Sequence, residues 1–175
     1  MDAAQFSQVA QTFARFHARF AGLFGRREAQ ERSRQYLQGL IVQQTDRRNA
    51  ENVAEVIAGA TPRGLQRFLT EAPWDDVAVI DTVQELLALL LAAPDGVFIL
   101  DDTGFPKQGT HSVGVQRQYS GTLGKVGNCQ IGVFLGYASS RGLALVDRAL
   151  FLPEQWSDDR ERCAAAGVPE GVHHE

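Results

Sequence analysis

Phe6, Val9, Phe13, Phe16, Phe20 and Leu23 recur at intervals of three and four residues, the spacing of one face of a helix. Gly25 is expected to end that helix. A second helix is predicted over about 26–44, with Tyr36, Leu37, Leu40 and Ile41 on one side and several arginines on the other. A third covers about 49–58 and closes at Gly59. Thr61-Pro62 then opens a fourth, with Thr as N-cap and Pro at the first helical position. Leu65, Phe68 and Leu69 supply its apolar face. A fifth spans about 77–91, with Val79, Ile80, Val83, Leu86, Leu87 and Leu90 inward, before a turn at Pro94-Asp95-Gly96. The spacing from Phe6 to Leu23 is also heptad-like and permits a dimer seam. Packing onto the following helices is the simpler expectation for so short a run.

The pattern then changes. Val97 to Leu100 is a short apolar run bounded by Gly96 and two acids, and reads as a buried strand. Residues 129–137 and 143–152 read as two further strands, joined through the turn 138–142 into an antiparallel hairpin. The intervening stretch 104–128, rich in Gly, Ser and Thr, reads as irregular or partly extended. Residues 154–166 look helical and stop at Gly167-Val168-Pro169. Helices first, strands next and one closing helix make an α+β arrangement, or an α/β domain cut short.

Composition changes this picture little: 44% hydrophobic and 22% charged residues are ordinary for a globular chain of 175 residues. Cys129 and Cys163 have neither CxxC nor zinc spacing, so two reduced thiols in a cytoplasmic protein are expected. No signal peptide or membrane-spanning run is visible. The net charge of −4 hides a segregation. Ten arginines fall between Phe13 and Thr70, whereas Pro73 to Asp102 has acids and no Lys or Arg. Basic residues return afterwards as Lys107, Arg117, Lys125, Arg141 and Arg148. Arginine-rich helices suit phosphates, although such arginines also serve simply to solvate helix faces. The third and fourth helices, joined at Gly59, have helix-turn-helix proportions, which would expose Arg63, Gln66 and Arg67 on the second of the pair.

Asp101 and Asp102 directly follow the apolar run. Carboxylates at a strand end can hold a divalent cation that prefers hard oxygen ligands, and two such cations can clamp a phosphodiester. A polar strand end entering a turn is the plainer alternative. A DxDxT phosphatase pattern fails in either register, because Ile99 or Leu100 stands where the nucleophile belongs. His17, His111, His173 and His174 form no catalytic triad with a GxSxG elbow, and no P-loop is present.

The run LDDTGFPKQG from Leu100 to Gly109, followed from Ser112 to Ser139 by SVGVQRQYSGTLGKVGNCQIGVFLGYAS, resembles the core of bacterial insertion-sequence transposases of the DDE superfamily endonuclease group. The acidic pair, TGF, a Lys-Gly element, RQYSG and NCQ occur in the family's order. Segments 13–41, 51–75 and 145–170 resemble the same family, so the likeness covers nearly the whole chain. It implies a helical, DNA-binding region over residues 1–94 and the first three strands of an RNase H-like domain over 95–175. It further implies phosphodiester cleavage and strand transfer at insertion-sequence ends, double-stranded DNA as partner, and Mg²⁺ as cofactor. Asp101 is the expected metal-binding catalytic carboxylate, with Asp102 the second choice. Arg47, Arg48, Arg63, Gln66, Arg67, Lys107, Arg117 and Lys125 are the expected DNA contacts. The family's second Asp and its Glu find no match before Glu175, and Asp147 does not stand at a matching position. A truncated, inactive copy is therefore expected, with an incomplete sheet that favours self-association. The alternative is a non-catalytic DNA-binding protein that competes with full-length transposase.

Overall fold

Side-chain caps set where several of the helices begin. A computed structural model describes residues 2–45 and 47–172 of the chain. In helix α1 (Ala3–Ala21) the Asp2 carboxylate accepts from the Gln5 N–H, and the Gln5 side chain accepts from the Asp2 N–H. Helix α2 (Arg27–Val42) follows, then α3 (Ala50–Val56), capped by Asn49. Helix α4 (Pro62–Thr70) has Thr61 as N-cap and Pro62 in its first turn, as the sequence predicts. Helix α5 is Asp76–Leu91. The chain divides into two compact units, Met1–Thr82 and Val83–Glu175, with the division inside α5.

In the first unit Ala50, Val53, Ile57 and Leu65 form a core, joined by Tyr36 and Leu40 of α2. Gly39 lets α2 and α3 approach closely: a β-carbon there would stand 2.3 Å from Val53 Cγ1. Phe24, Phe68 and Trp74 make a second, aromatic cluster. The apolar face of α1 is only partly used. His17 and Phe20 are buried, but Phe6 is 64% exposed, and Val9 and Phe16 are exposed too. Ile41, Leu69 and Leu90, which the periodicity directs inward, are also exposed. Periodicity marks which residues share a face, not whether another element covers it.

The second unit is built on strand β3 (Lys125–Ser139), fifteen residues long. Strand β1 (Val97–Pro106) pairs antiparallel with one edge of β3. Strands β2 (Gln116–Ser120) and β4 (Gly142–Leu150) also pair with β3. Residues Gly132 to Ala138 pair with β1 and β4 at once, so β4 holds the edge opposite β1. The architecture is α+β with a four-stranded antiparallel sheet, one strand more than the sequence indicates. β2 escaped notice because QRQYS has a single large apolar residue and lies among glycines.

The run at Val97 is a strand but not a buried one: Phe98 is 68% and Leu100 72% exposed. Nor does the strand stop at Asp101. Backbone pairing with β3 carries β1 on to Pro106, overriding the poor strand preference of Asp and Gly. The hairpin turn between β3 and β4 falls where expected, at Ser140-Arg141. The closing helix is two: α6 (Glu154–Ser157) and α7 (Arg160–Ala165), separated where Asp159 caps the second. They seat the wholly buried Trp156 against Val115, Leu152 and Cys163. Its indole N–H donates to the Val115 carbonyl at 2.9 Å, and the Arg162 guanidinium lies 3.7 Å from its ring. Cys129 and Cys163 are buried and unbridged. Among the described residues no helix is long and apolar enough to cross a membrane.

Candidate functional site

Extended backbone sends successive side chains to opposite faces of a sheet, while directly opposed residues share a face. Asp101 and Asp102 therefore stand on opposite faces, in the middle of β1 rather than at its end. Asp101 shares its face with Phe105 and with its partner Phe134, whose rings meet edge to face, and with Arg148, the β4 partner of Phe134. Asp102 shares the other face with Val133 and Gly104. There Gly104 lies against the buried Ser120, which a β-carbon would strike. Both carboxylates are exposed, and Asp101 Oδ1 accepts from the Asp102 N–H at 2.9 Å.

These residues meet the demands of a hard divalent cation only in part. Each face of β1 offers one carboxylate. The only other acid on the four strands is Asp147 on β4, which lies across β3 from Leu100, on the face of Asp102. Two strand spacings of about 4.8 Å each keep it from sharing an ion whose ligands lie about 2.0–2.6 Å away. Among the described residues no three His, Cys, Asp or Glu side chains gather into a metal-binding group. His173 and His174 lie outside the described residues.

Beyond β1 the loop is fastened by residues of the NCQ motif. Asn128 Nδ2 donates to the carbonyls of Lys107 (2.9 Å) and Gly109 (2.8 Å), and Gln130 Nε2 donates to that of Val113. Arg162 Nη2 adds a bond to the Thr110 carbonyl. The sequence marks Asn128 and Gln130 only as motif letters. Their role as loop anchors depends on partners 17 to 21 residues away and has no local signal. Lys107 donates its N–H to the Asn128 carbonyl, while Arg117 of β2 pairs with Asn128 from the other edge. These two expected DNA contacts thus flank one residue. Lys125 stands apart at the start of β3. All three are exposed.

In the helical unit α3 and α4 pack around the turn at Gly59, whose φ of 75° suits glycine. Arg63, Gln66 and Arg67 are all exposed on α4, and Arg67 pairs with Glu71 at 3.0 Å. Arg47 and Arg48 are exposed in the link before α3. Not every arginine is on display. The partly buried Arg32 donates from Nη1 to Gln35 Oε1 (2.8 Å) and to the Gly59 carbonyl (3.1 Å), which ties the α3–α4 turn to α2. Arg34 pairs with Glu31, and that bond holds the Glu31 carboxyl below the usual range.

Comparison with known proteins places these features together. A probable transposase for insertion sequence element IS701 from Microchaete diplosiphon is 32% identical over 106 residues, which is 58% of this chain and 28% of that protein. The chain therefore matches little more than a quarter of its relative's length. No solved structure matches. Residues 19–175, which take in the basic helices, the acidic pair on β1 and the motifs that fasten its loop, match the DDE superfamily endonuclease family along their whole extent, and the chain belongs to that family.

Proposed function

We propose that this chain is part of an insertion-sequence transposase, acting in the cytoplasm on double-stranded DNA to cleave and rejoin it at element ends. The family match over residues 19–175 carries the reading. In it the helical region, functionally residues 1–94, binds DNA, and residues 95–175 contribute to the DDE domain. Arg47, Arg48, Arg63, Gln66 and Arg67 serve as contacts from the first region, and Lys107, Arg117 and Lys125 from the second. Asp101 is the first catalytic carboxylate, with Asp102 as the alternative. Asp101 would be one ligand of a Mg²⁺ ion, which supplies Lewis-acid activation of the phosphodiester when bound.

One carboxylate per sheet face does not complete such a centre, so the residues of this chain are proposed to be inactive alone. Supercoiled plasmid incubated with the chain and Mg²⁺ should stay uncut. Nicking that disappears in Asp101→Ala would overturn this. The same observation favours a second reading, in which the chain binds element ends without cutting them and competes with full-length transposase. Its signature is retardation of an inverted-repeat duplex that weakens with salt and is lost on replacing Arg63 and Arg67 by Ala. Self-association is also proposed, supported by the exposed apolar residues on both faces of β1.

A further inference from the structure

We propose that the helical unit carries a phosphate track for duplex DNA, formed by α2 and α4, in which Arg26, Arg32 and Arg67 seat one backbone phosphate and Arg63 with Gln66 the next. The track rests on the DNA-binding reading and specifies where and how the backbone is held.

Two adjoining surface concavities define it. One is lined by Arg26, Arg32, Gly64 and Arg67, and the other by Arg63, Gln66 and Arg67. Arg67 is common to both, so the cations form a row rather than two isolated spots. Arg32 is the fixed member. Its Nη1 is held by Gln35 and Gly59, and its Nε has no hydrogen-bond partner. Among the described residues no carboxylate forms a salt bridge with it. Its guanidinium rests against Gly64 in the first turn of α4; a β-carbon at Gly64 would come within 3.1 Å of Arg32 Cζ. The charge is thereby anchored beside a helix N-terminus, where the backbone dipole also favours an anion.

The row is not purely basic, and that selects the ligand. Glu28 lines the first concavity and Glu71 lines both, and Glu71 pairs with Arg67. Both members of that pair are more than 60% exposed, so it is weak and gives way readily to a phosphate. With two carboxylates nearby, a single free phosphate gains little. A polyanion that meets both concavities at once gains from each. The track has no exposed aromatic side chain on which an unpaired base could stack, since Phe68 is buried. Backbone contact without stacking suits a duplex.

The test is fluorescence anisotropy of a labelled mixed-sequence duplex with the full chain, from 50 to 200 mM salt as an order-of-magnitude range. Arg26→Gln combined with Arg67→Gln should weaken binding at least about tenfold and flatten the slope of log affinity against log salt by about two. Glu71→Gln, which removes an acid and releases Arg67, should tighten binding. Both arginines are exposed, and a thermal melt monitors folding of each variant. An unchanged salt slope in the double variant, or binding that Glu71→Gln leaves unaltered, would overturn the track while leaving DNA binding intact. Equal affinity for a single strand, or displacement by millimolar inorganic phosphate, would overturn the duplex assignment. Failure of the unmodified chain to bind duplex at any salt would remove the DNA-binding reading and the track together.

Discussion

His17 is buried in α1 with its Nε2 2.8 Å from Ser33 Oγ. Ser33 donates its own proton to the Gln30 carbonyl, so its oxygen accepts from the imidazole N–H. Burial first, and the Arg34 charge second, hold the His17 pKa below 6.5. A folded state that resists protonation is most stable when the ring is neutral in both states. The contribution is therefore full above the unfolded value of about 6.5 and declines as pH falls through it toward the lower folded pKa. Urea midpoints should drop between pH 7.5 and pH 5, and the drop should shrink in His17→Gln. A pH dependence unchanged by that substitution would exclude His17 as its source. Glu31 belongs to a lower window, because a carboxyl held down by Arg34 loses its contribution only as pH falls below about 4.5. The sequence places His17 on a helix but gives no hint of its partner, which lies sixteen residues away on another helix.

The start of α4 was legible because its signal is local. Thr61 followed by Pro62 is a start that the chain order alone exhibits, and the Thr61 hydroxyl accepts from the Gly64 N–H; Asn49, expected inside the third helix, caps it instead. Strand limits were not legible, because a ladder is decided by its partner. β1 runs through Asp101, Asp102 and Gly104 only because β3 is long enough to pair with them all. The same non-local logic makes Gly39 a point of close approach that no helix propensity anticipates. Gly39→Ala should raise helix propensity, yet it drives a methyl to 2.3 Å from Val53 Cγ1. Overpacking of about 1–3 kcal/mol should outweigh the gain of up to about 1 kcal/mol. Thermal denaturation should show a lowered Tm. A raised one would mean that α3 moves aside freely.

For the whole molecule, the face of the sheet that carries Asp101 also presents Leu143 and Leu145 of β4, 73% and 64% exposed. Contiguous apolar surface of this kind promotes association. Leu143→Lys combined with Leu145→Lys should shift light-scattering mass toward that of a monomer without lowering the melting temperature. A chain that is already monodisperse before substitution would sink the expectation. The acidic pair itself was legible from the motif order, whereas the solitude of each carboxylate on its own face was not. Two adjacent letters in the sequence become two sides of a sheet only once β1 is known to continue through them.

The position of β3 as the shared spine has a consequence during synthesis. β1 leaves the ribosome before β3, its partner strand among the described residues, is complete, since 33 residues separate the end of β1 at Pro106 from the end of β3 at Ser139. At about 5–20 residues per second this is an interval of roughly two to seven seconds. Throughout it Val97-Phe98-Ile99-Leu100 is a nascent segment without a hydrogen-bonding mate, of the kind that holdase chaperones capture. Translation speed across β3 then adds directly to the time for which this segment is open to misassembly.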